Sequence, residues 1–323
     1  MNIEPSNTSD SRNVGPPDSD WRDDLVRRVS ALTTLRRDEP LAGRTTMRVG
    51  GPAQLFAEPA SEADLAAILK FCAERGLPRF LLGRGSNLLV KDGGIRGVVV
   101  SLAHPEFARI VVEGDLLRCG AGARLKNVAH EARRQNLAGL EFMEGIPGSV
   151  GGALRMNAGA MGSWTFDVVE SVRVMSEEGV ARELPAAQVP VQYRSCPMLK
   201  TGIALVAVFR AEPGERSGID ARMKSFSLKR WGSQPAAPSA GCIFKTPEAV
   251  PAGKLIDELG LKGTRVGGAR VSLEHGNFIV NEGNATARDV LELIELLRAR
   301  VRAARGIELE TEVEIVGEEC LRN

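Results

Sequence analysis

Between Gly145 and Gly162 the chain carries six glycines and Pro147 within eighteen residues, reading Gly145-Ile146-Pro147-Gly148-Ser149-Val150-Gly151-Gly152-Ala153 and then Leu154 to Gly162. No ordinary helix can be built on that run, because each glycine loses the most backbone entropy on folding and brings no side chain to pack. The composition instead describes a backbone shaped around a ligand. Glycines let main-chain N–H groups approach a phosphate or a flat ring system, so a bound nucleotide cofactor is the first expectation.

A second segment of the same character is Leu82-Gly83-Arg84-Gly85-Ser86-Asn87-Leu88-Leu89-Val90, with Asp92-Gly93-Gly94 beyond it. Arg79 to Leu82 reads as a short buried strand, which puts the turn at a strand end, where α/β folds bind ligands. Its N–H groups and the Ser86 hydroxyl could hold a pyrophosphate. Neither segment ends in Gly-Lys-Ser/Thr, so neither is a Walker loop, and the spacing is not that of a Rossmann dinucleotide fingerprint. Alone, each would read as a structural turn.

The chain has 323 residues, enough for two or three domains with a substantial core. Its 42 Lys and Arg nearly cancel 41 Asp and Glu, so no global field draws it to nucleic acid or anionic lipid, and local basic clusters must carry any phosphate recognition. Cys72, Cys119, Cys196, Cys242 and Cys320 are scattered, with no CxxC spacing and no secretory leader, which favours reduced thiols in a cytoplasm. Three dispersed histidines suggest no metal, and no apolar run reaches membrane-spanning length.

Met1 to about Asp24 is rich in Ser, Asn, Asp and Pro and reads as a flexible tail. Ser61-Glu62-Ala63-Asp64 then opens a capped helix with Leu65, Ile68, Leu69 and Cys72 on one face and Gly76 as its stop. Val98–Val100, Ile110–Val112, Leu116–Cys119, Ser171–Val174 and Ala204–Val208 read as strands, and Leu125, Val128, Ala129 and Ala132 as the buried stripe of a helix with His130 outside. The pattern changes after Pro213. Helices are expected around Leu255–Leu259 and from about Ala287 to Arg305, and the alternation from Ile307 to Ile315 predicts a half-buried strand. On that strand periodicity puts Glu308, Glu310, Glu312 and Glu314 in one solvent-facing row.

Taken together, Thr45 to Gly51, Gly83 to Leu88 and Gly145 to Gly152 resemble the UDP-N-acetylenolpyruvoylglucosamine reductases, the MurB family of bacterial cell-wall synthesis. The resemblance continues through Tyr193-Arg194, Ser239 to Lys245, Glu274 to Asn281 and Glu312-Val313, covering all but the N-terminal tail. It implies an α+β protein with two N-terminal α/β FAD-binding subdomains of the PCMH-type flavin fold, at residues 25–102 and 103–213, and a C-terminal α+β substrate-binding domain at 214–323. Non-covalent FAD would be held by Arg48, Gly50, Gly51, Gly83, Arg84, Gly85, Ser86, Asn87, Leu88, Gly145, Ile146, Pro147, Gly148, Ser149, Gly151, Gly152 and Ala153. NADPH would be the hydride donor and UDP-N-acetylglucosamine enolpyruvate the substrate, for a cytoplasmic monomer without nucleic-acid or membrane partners.

Reduction of an enolpyruvyl ether needs hydride at the β carbon and a proton at the α carbon, with the carboxylate carrying negative charge in between. The resemblance assigns the carboxylate partner to Arg194, whose planar fork of donors suits two oxygens. It places Glu312 in the active site, assisting either in polarising the substrate carboxylate or in proton delivery. Cys242 stands where the commoner family form has a serine proton donor, and a thiol, with a free pKa of about 8.5, is the stronger acid. Thr246 replaces the usual asparagine. Tyr193, Lys229, Arg230 and Lys245 are the expected substrate contacts, while His275 and Asn277 read as turn-forming residues. The rivals are another flavin oxidase of the same superfamily and a flavin or nucleotide-sugar binding protein without turnover.

Overall fold

A computed structural model describes residues 20–247 and 250–320. The first unit is a four-stranded sheet in the order Thr34–Pro40, Pro52–Glu58, Ile95–Val100, Arg79–Leu81, with the first pair antiparallel and the others parallel. Parallel pairing requires a crossover, and the helix Glu62–Arg75 supplies it. Ser61 Oγ accepts from Asp64 N at its start and Gly76, at φ +61°, ends it, while Leu65, Ile68, Leu69 and Cys72 are buried as their spacing predicts.

The second unit is an antiparallel five-stranded sheet ordered Ala181–Pro185, Val169–Met175, Ile203–Arg210, Leu116–Gly120, Ile110–Glu113. Its helix Leu125–Arg134 buries the expected stripe and leaves His130 outside. The two units share one core, in which Leu55, Leu65, Ile68 and Val98 pack with Leu117, Val172 and Phe209.

The third unit pairs Ser239–Cys242, Phe278–Asn281, Ala269–Val271 and Arg265–Val266 in one antiparallel sheet. The helix Ala287–Arg305 covers it, opened by a Thr286/Asp289 capping box and closed by Gly306 in the left-handed region. Val290, Ile294, Leu297 and Val301 enter its core, and so do Met47 and Val49 from the N-terminal half.

Three expectations change. Trp21–Val26 is a short helix capped by Asp20, with Leu25 buried and the Trp21 ring 6.5 Å from that of Phe71, so the tail stops earlier than Asp24; residues 1–19 lie outside the described part. Two apolar residues one helical turn apart suffice to dock it. The helix Arg216–Ser233, beyond the expected division after Pro213, buries Ile219 and Met223 in the core of the first two units and pairs Arg222 with Glu141 at 2.6 Å. It therefore packs with what precedes it. The segment from Ile307 onward is ladder-paired only at Glu314–Val316, parallel to Leu88–Val90, with a single earlier bridge from Thr311 to Phe244. It leaves the third unit and joins the first, and Glu312 sits on that crossing.

Polar contacts fasten the third unit to the rest. Asp92 accepts from the N–H groups of Ala287 and Arg288, each at 2.9 Å, capping from outside the first turn of the long helix, and Asn281 Nδ2 donates to Met47 O at 3.0 Å. Replacing Asp92 by Ala should cost about 1–2 kcal/mol of unfolding free energy in urea titrations, the usual effect of losing a cap. An unchanged midpoint would mean that those two N–H groups find another acceptor.

Candidate active site

The two glycine loops meet in the lining of a cleft of about 880 Å³. Ser86 Oγ bridges them by donating to Pro147 O at 2.8 Å. Gly85, at φ +59°, is required twice over: its backbone is left-handed, and a Cβ would lie 2.7 Å from Arg44 O and Thr45 Cα. That close approach lets Thr46 N and Oγ1 both donate to Gly85 O, at 3.1 and 3.2 Å. In the second loop, Ser149 Oγ accepts from Gly152 N at 3.4 Å and opens the helix Val150–Arg155. A smaller cavity of about 240 Å³ adjoins the cleft along Gly83, Arg84, Ser149 and Gly152, and is also lined by Arg124 and Gly151.

Arg48 and Arg230 line the cleft, Arg124 the smaller cavity and Arg84 both. None of the four has a carboxylate partner within ion-pair distance among the described residues. Burial holds the Arg84 guanidinium below its ordinary pKa, with the neighbouring Arg124 charge acting in the same direction, and burial does the same to Arg230. Guanidinium groups without an ion-paired carboxylate around a concave, glycine-walled surface, of which only Arg230 feels a nearby carboxylate, that of Glu144, suit phosphate oxygens.

Arg194, Cys242 and Glu312 all face this cleft. Arg194 Nε lies 2.9 Å from Glu312 Oε1, with the two side chains only 24% and 14% exposed. The Nε–H is out of line for a hydrogen bond, so the contact is ionic. The guanidinium carbon lies 5.3 Å from the Trp164 ring centre and 5.5 Å from that of Tyr193, whose rings meet edge to face at 5.7 Å. Arg194 also takes φ +55°, a left-handed conformation costing a side-chain-bearing residue roughly 1–2 kcal/mol. Such strain is held by its surroundings, here the reciprocal main-chain bonds between Gln192 and Ser195 at 2.8 and 3.2 Å.

Burial raises the Glu312 pKa and Arg194 only partly opposes it. The periodic reading put this carboxyl in solvent with Glu308 and Glu310; those two are exposed, but the crossing turns Glu312 inward. Cys242 ends the strand Ser239–Cys242, just after Gly241 at φ +77°. Asn277 fixes the chain beyond it by accepting from Phe244 N at 2.9 Å and donating to Phe244 O at 2.8 Å. Burial pushes the Cys242 thiol up to about 11, with Glu312 adding to the rise and Arg194 opposing it. At neutral pH the sulfur keeps its proton.

Of the residues expected to hold FAD, Gly83, Gly85, Ser86, Asn87, Leu88, Gly145, Ile146, Pro147, Gly148, Ser149, Gly152 and Ala153 line the cleft, and Gly151 lines the smaller cavity. Gly50 and Gly51 line neither. A Cβ at Gly50 would come within 2.6 Å of Val90 Cβ and one at Gly51 within 2.1 Å of Asp92 O, so their glycine requirement comes from packing against the neighbouring turn. Lys229 and Thr246 are exposed and Lys245 pairs with Glu310 at 2.9 Å, all three away from the cleft lining, while Tyr193 stands at the rim, 56% exposed. Sequence reasoning missed Trp164, Trp231, Arg155 and Glu314. Trp231 carried a signal, since it follows Lys229-Arg230; the others carried none.

Two family models match: the UDP-N-acetylenolpyruvoylglucosamine reductase C-terminal domain over residues 234–316 and an FAD binding domain over 53–184. The UDP-N-acetylenolpyruvoylglucosamine reductase of Clostridium novyi (strain NT) is 44% identical over 277 residues, 85% of this chain and 90% of that protein. The enzyme of the same name from Geobacter metallireducens is 43% identical over 300 residues, 92% of this chain and 99% of its own. Among solved structures, UDP-N-acetylenolpyruvylglucosamine reductase (MurB) from Thermus caldophilus superposes with a TM-score of 0.76 at 38% identity, covering 88% of this chain and 98% of that one.

The surroundings of Cys242 generate a direct test in the flavin-free protein. Alkylation by iodoacetamide, followed at this residue by peptide mapping, should be slow at pH 7 and rise with a midpoint near pH 11. Glu312→Gln should lower the midpoint by removing a negative charge that disfavours thiolate. A midpoint at that of a free thiol, unmoved by Glu312→Gln, would separate the two groups.

Proposed function

We propose, given that this chain belongs to the UDP-N-acetylenolpyruvoylglucosamine reductase family, that it reduces UDP-N-acetylglucosamine enolpyruvate to UDP-N-acetylmuramate in peptidoglycan precursor synthesis, using FAD and NADPH. The observation that carries this reading is the convergence of Arg194, Cys242 and Glu312 on one cleft walled by two glycine loops.

The cleft suits the cofactor. Arg48, Gly83 to Leu88, Gly145 to Ser149 and Gly151 to Ala153 would hold FAD, with the Arg84 and Arg124 guanidinium groups available to its phosphate oxygens. When bound, FAD supplies the redox chemistry, passing on to the substrate's β carbon the hydride that NADPH provides. The chain's own residues bind, orient and protonate. Arg194, aimed by Glu312, Trp164 and Tyr193, pairs with the substrate carboxylate and stabilises the negative charge that its oxygens carry after hydride arrival. Cys242 Sγ holds its proton at neutral pH and gives it to the α carbon, so the new C–H bond forms as the S–H bond breaks and the negative charge passes from the substrate to the sulfur, where the Arg194 charge favours it. Glu312, protonated more readily than an exposed carboxyl, is placed to assist with that charge. Arg230, which lines the cleft, is assigned to the UDP portion in preference to Lys229 and Lys245, which stand outside its lining, and Tyr193 is kept as a substrate contact by its place beside Arg194.

No described helix is long and apolar enough to cross a membrane. The reading places the enzyme in the cytoplasm as a monomer, beside its nucleotide substrates.

Purified protein should be yellow, release FAD on denaturation and oxidise NADPH faster when the enolpyruvyl sugar nucleotide is added; colourless protein without that stimulation would reject the assignment. Cys242→Ala should leave flavin reduction by NADPH intact while lowering substrate reduction by about 10²–10⁴-fold, the usual contribution of a positioned acid. Equal damage to both half-reactions would remove Cys242 from the acid role. Arg194→Lys should cost the second half-reaction about 10²–10³-fold, since lysine cannot reproduce the planar fork. Unaltered kinetics there would count against carboxylate pairing.

A further inference from the structure

Arg194 and Glu312 arrive from different elements, and one residue that is neither of them holds both segments. The Arg155 guanidinium makes a two-pronged ion pair with Glu314, Nη1 to Oε2 at 2.6 Å and Nη2 to Oε1 at 3.0 Å. Its main-chain carbonyl accepts from Cys196 N at 2.9 Å, two residues beyond Arg194. Glu314 is two residues beyond Glu312 on the same extended segment, and both Arg155 and Glu314 border the cleft. Arg155 is the last residue of the short helix that continues the Gly145–Gly152 loop. It therefore stands where that loop, the Arg194 turn and the terminal strand meet.

From this juxtaposition we infer that Arg155, through Glu314, is a positioning residue that fixes the Arg194 guanidinium against the Glu312 carboxyl. The inference rests on the function proposed above. Two anchors hold the crossing strand. Asn87, in the first glycine loop, accepts from Glu314 N at 3.1 Å and donates from Nδ2 to Glu312 O at 3.1 Å, which fixes the backbone. Arg155 fixes the same strand by a side chain, and its planar fork matched to a carboxylate sets direction as well as distance. With the Arg155 side chain removed, the strand keeps its backbone anchor at Asn87 and the Arg194 turn keeps its bond to the Arg155 carbonyl, but only the Arg194–Glu312 contact itself then joins the two. Glu314 would then stand unpaired next to Glu312 on a surface that must receive an anionic substrate.

The test uses the FAD-loaded full chain and compares Arg155→Met, Glu314→Gln and the exchange Arg155→Glu/Glu314→Arg. Each single variant should slow reduction of the enolpyruvyl substrate by about 10²-fold, the cost of misplacing a catalytic group by about 1 Å. Calorimetric affinity for UDP-N-acetylmuramate, whose carboxylate reads Arg194 without turnover, should fall as well. FAD content and flavin reduction by NADPH should stay at wild-type values, and the exchange should recover most of the loss. Wild-type turnover in either single variant overturns the inference, as does a parallel fall in FAD content and both half-reactions that the exchange fails to repair, which would mark general structural support. If Arg155→Met does not fold, the neutral and nearly isosteric Glu314→Gln decides alone. Wild-type protein that fails to reduce the enolpyruvyl substrate removes the functional reading before any variant is compared.

Discussion

The contact between Arg194 and Glu312 organises the site, because it draws two ionisable groups from distant parts of the chain into a poorly solvated cleft and leaves neither fully satisfied. A buried pair of this kind is weak support for stability, since desolvation can cancel the attraction. Its value here is directional. The guanidinium is held by a carboxylate on one side and by two aromatic rings nearby, with its backbone in a left-handed conformation, so the fork is set before a substrate carboxylate arrives. The same burial keeps the Cys242 proton on sulfur. The carboxyl and the guanidinium both act on the thiol, in opposite directions, so a change in either moves the Cys242 titration.

The glycine loops make that environment possible without contributing charge. They are joined where the Ser86 hydroxyl donates to the Pro147 carbonyl, leaving arginines and main-chain groups to face the cavity. The third unit then closes the cleft from the other side, carrying Cys242 on its edge strand. Because Met47 and Val49 enter its core and Asp92 caps its long helix, its placement is fixed by packing and by two helix N–H groups.

Much of this was legible in the sequence, for reasons that can be named. The helices Glu62–Arg75, Leu125–Arg134 and Ala287–Arg305 announce themselves by apolar spacing, and the first also by its caps, because their partners are generic cores. The helix Arg216–Ser233 buries only Ile219 and Met223, too thin a stripe to stand out from its charged faces. Glu312 was misplaced because period-two alternation assumes one continuous sheet, whereas this segment passes from one unit to another. Gly50 and Gly51 resemble the ligand-facing glycines in sequence and differ only in what surrounds them. Arg155, Trp164 and Glu314 were silent for the same reason: their roles come from tertiary neighbours, and nothing in their local sequence records them.

The central claim is that one substrate carbon lies between a guanidinium-bound carboxylate and a protonated sulfur. A crystal structure of the holoenzyme with UDP-N-acetylmuramate tests it most directly. The account predicts the lactyl carboxylate on the Arg194 guanidinium and Cys242 Sγ about 3.5 Å from the α carbon, the separation of a near-attack arrangement. A carboxylate bound away from Arg194, or a sulfur turned from the α carbon with the sugar nucleotide in place, would contradict it.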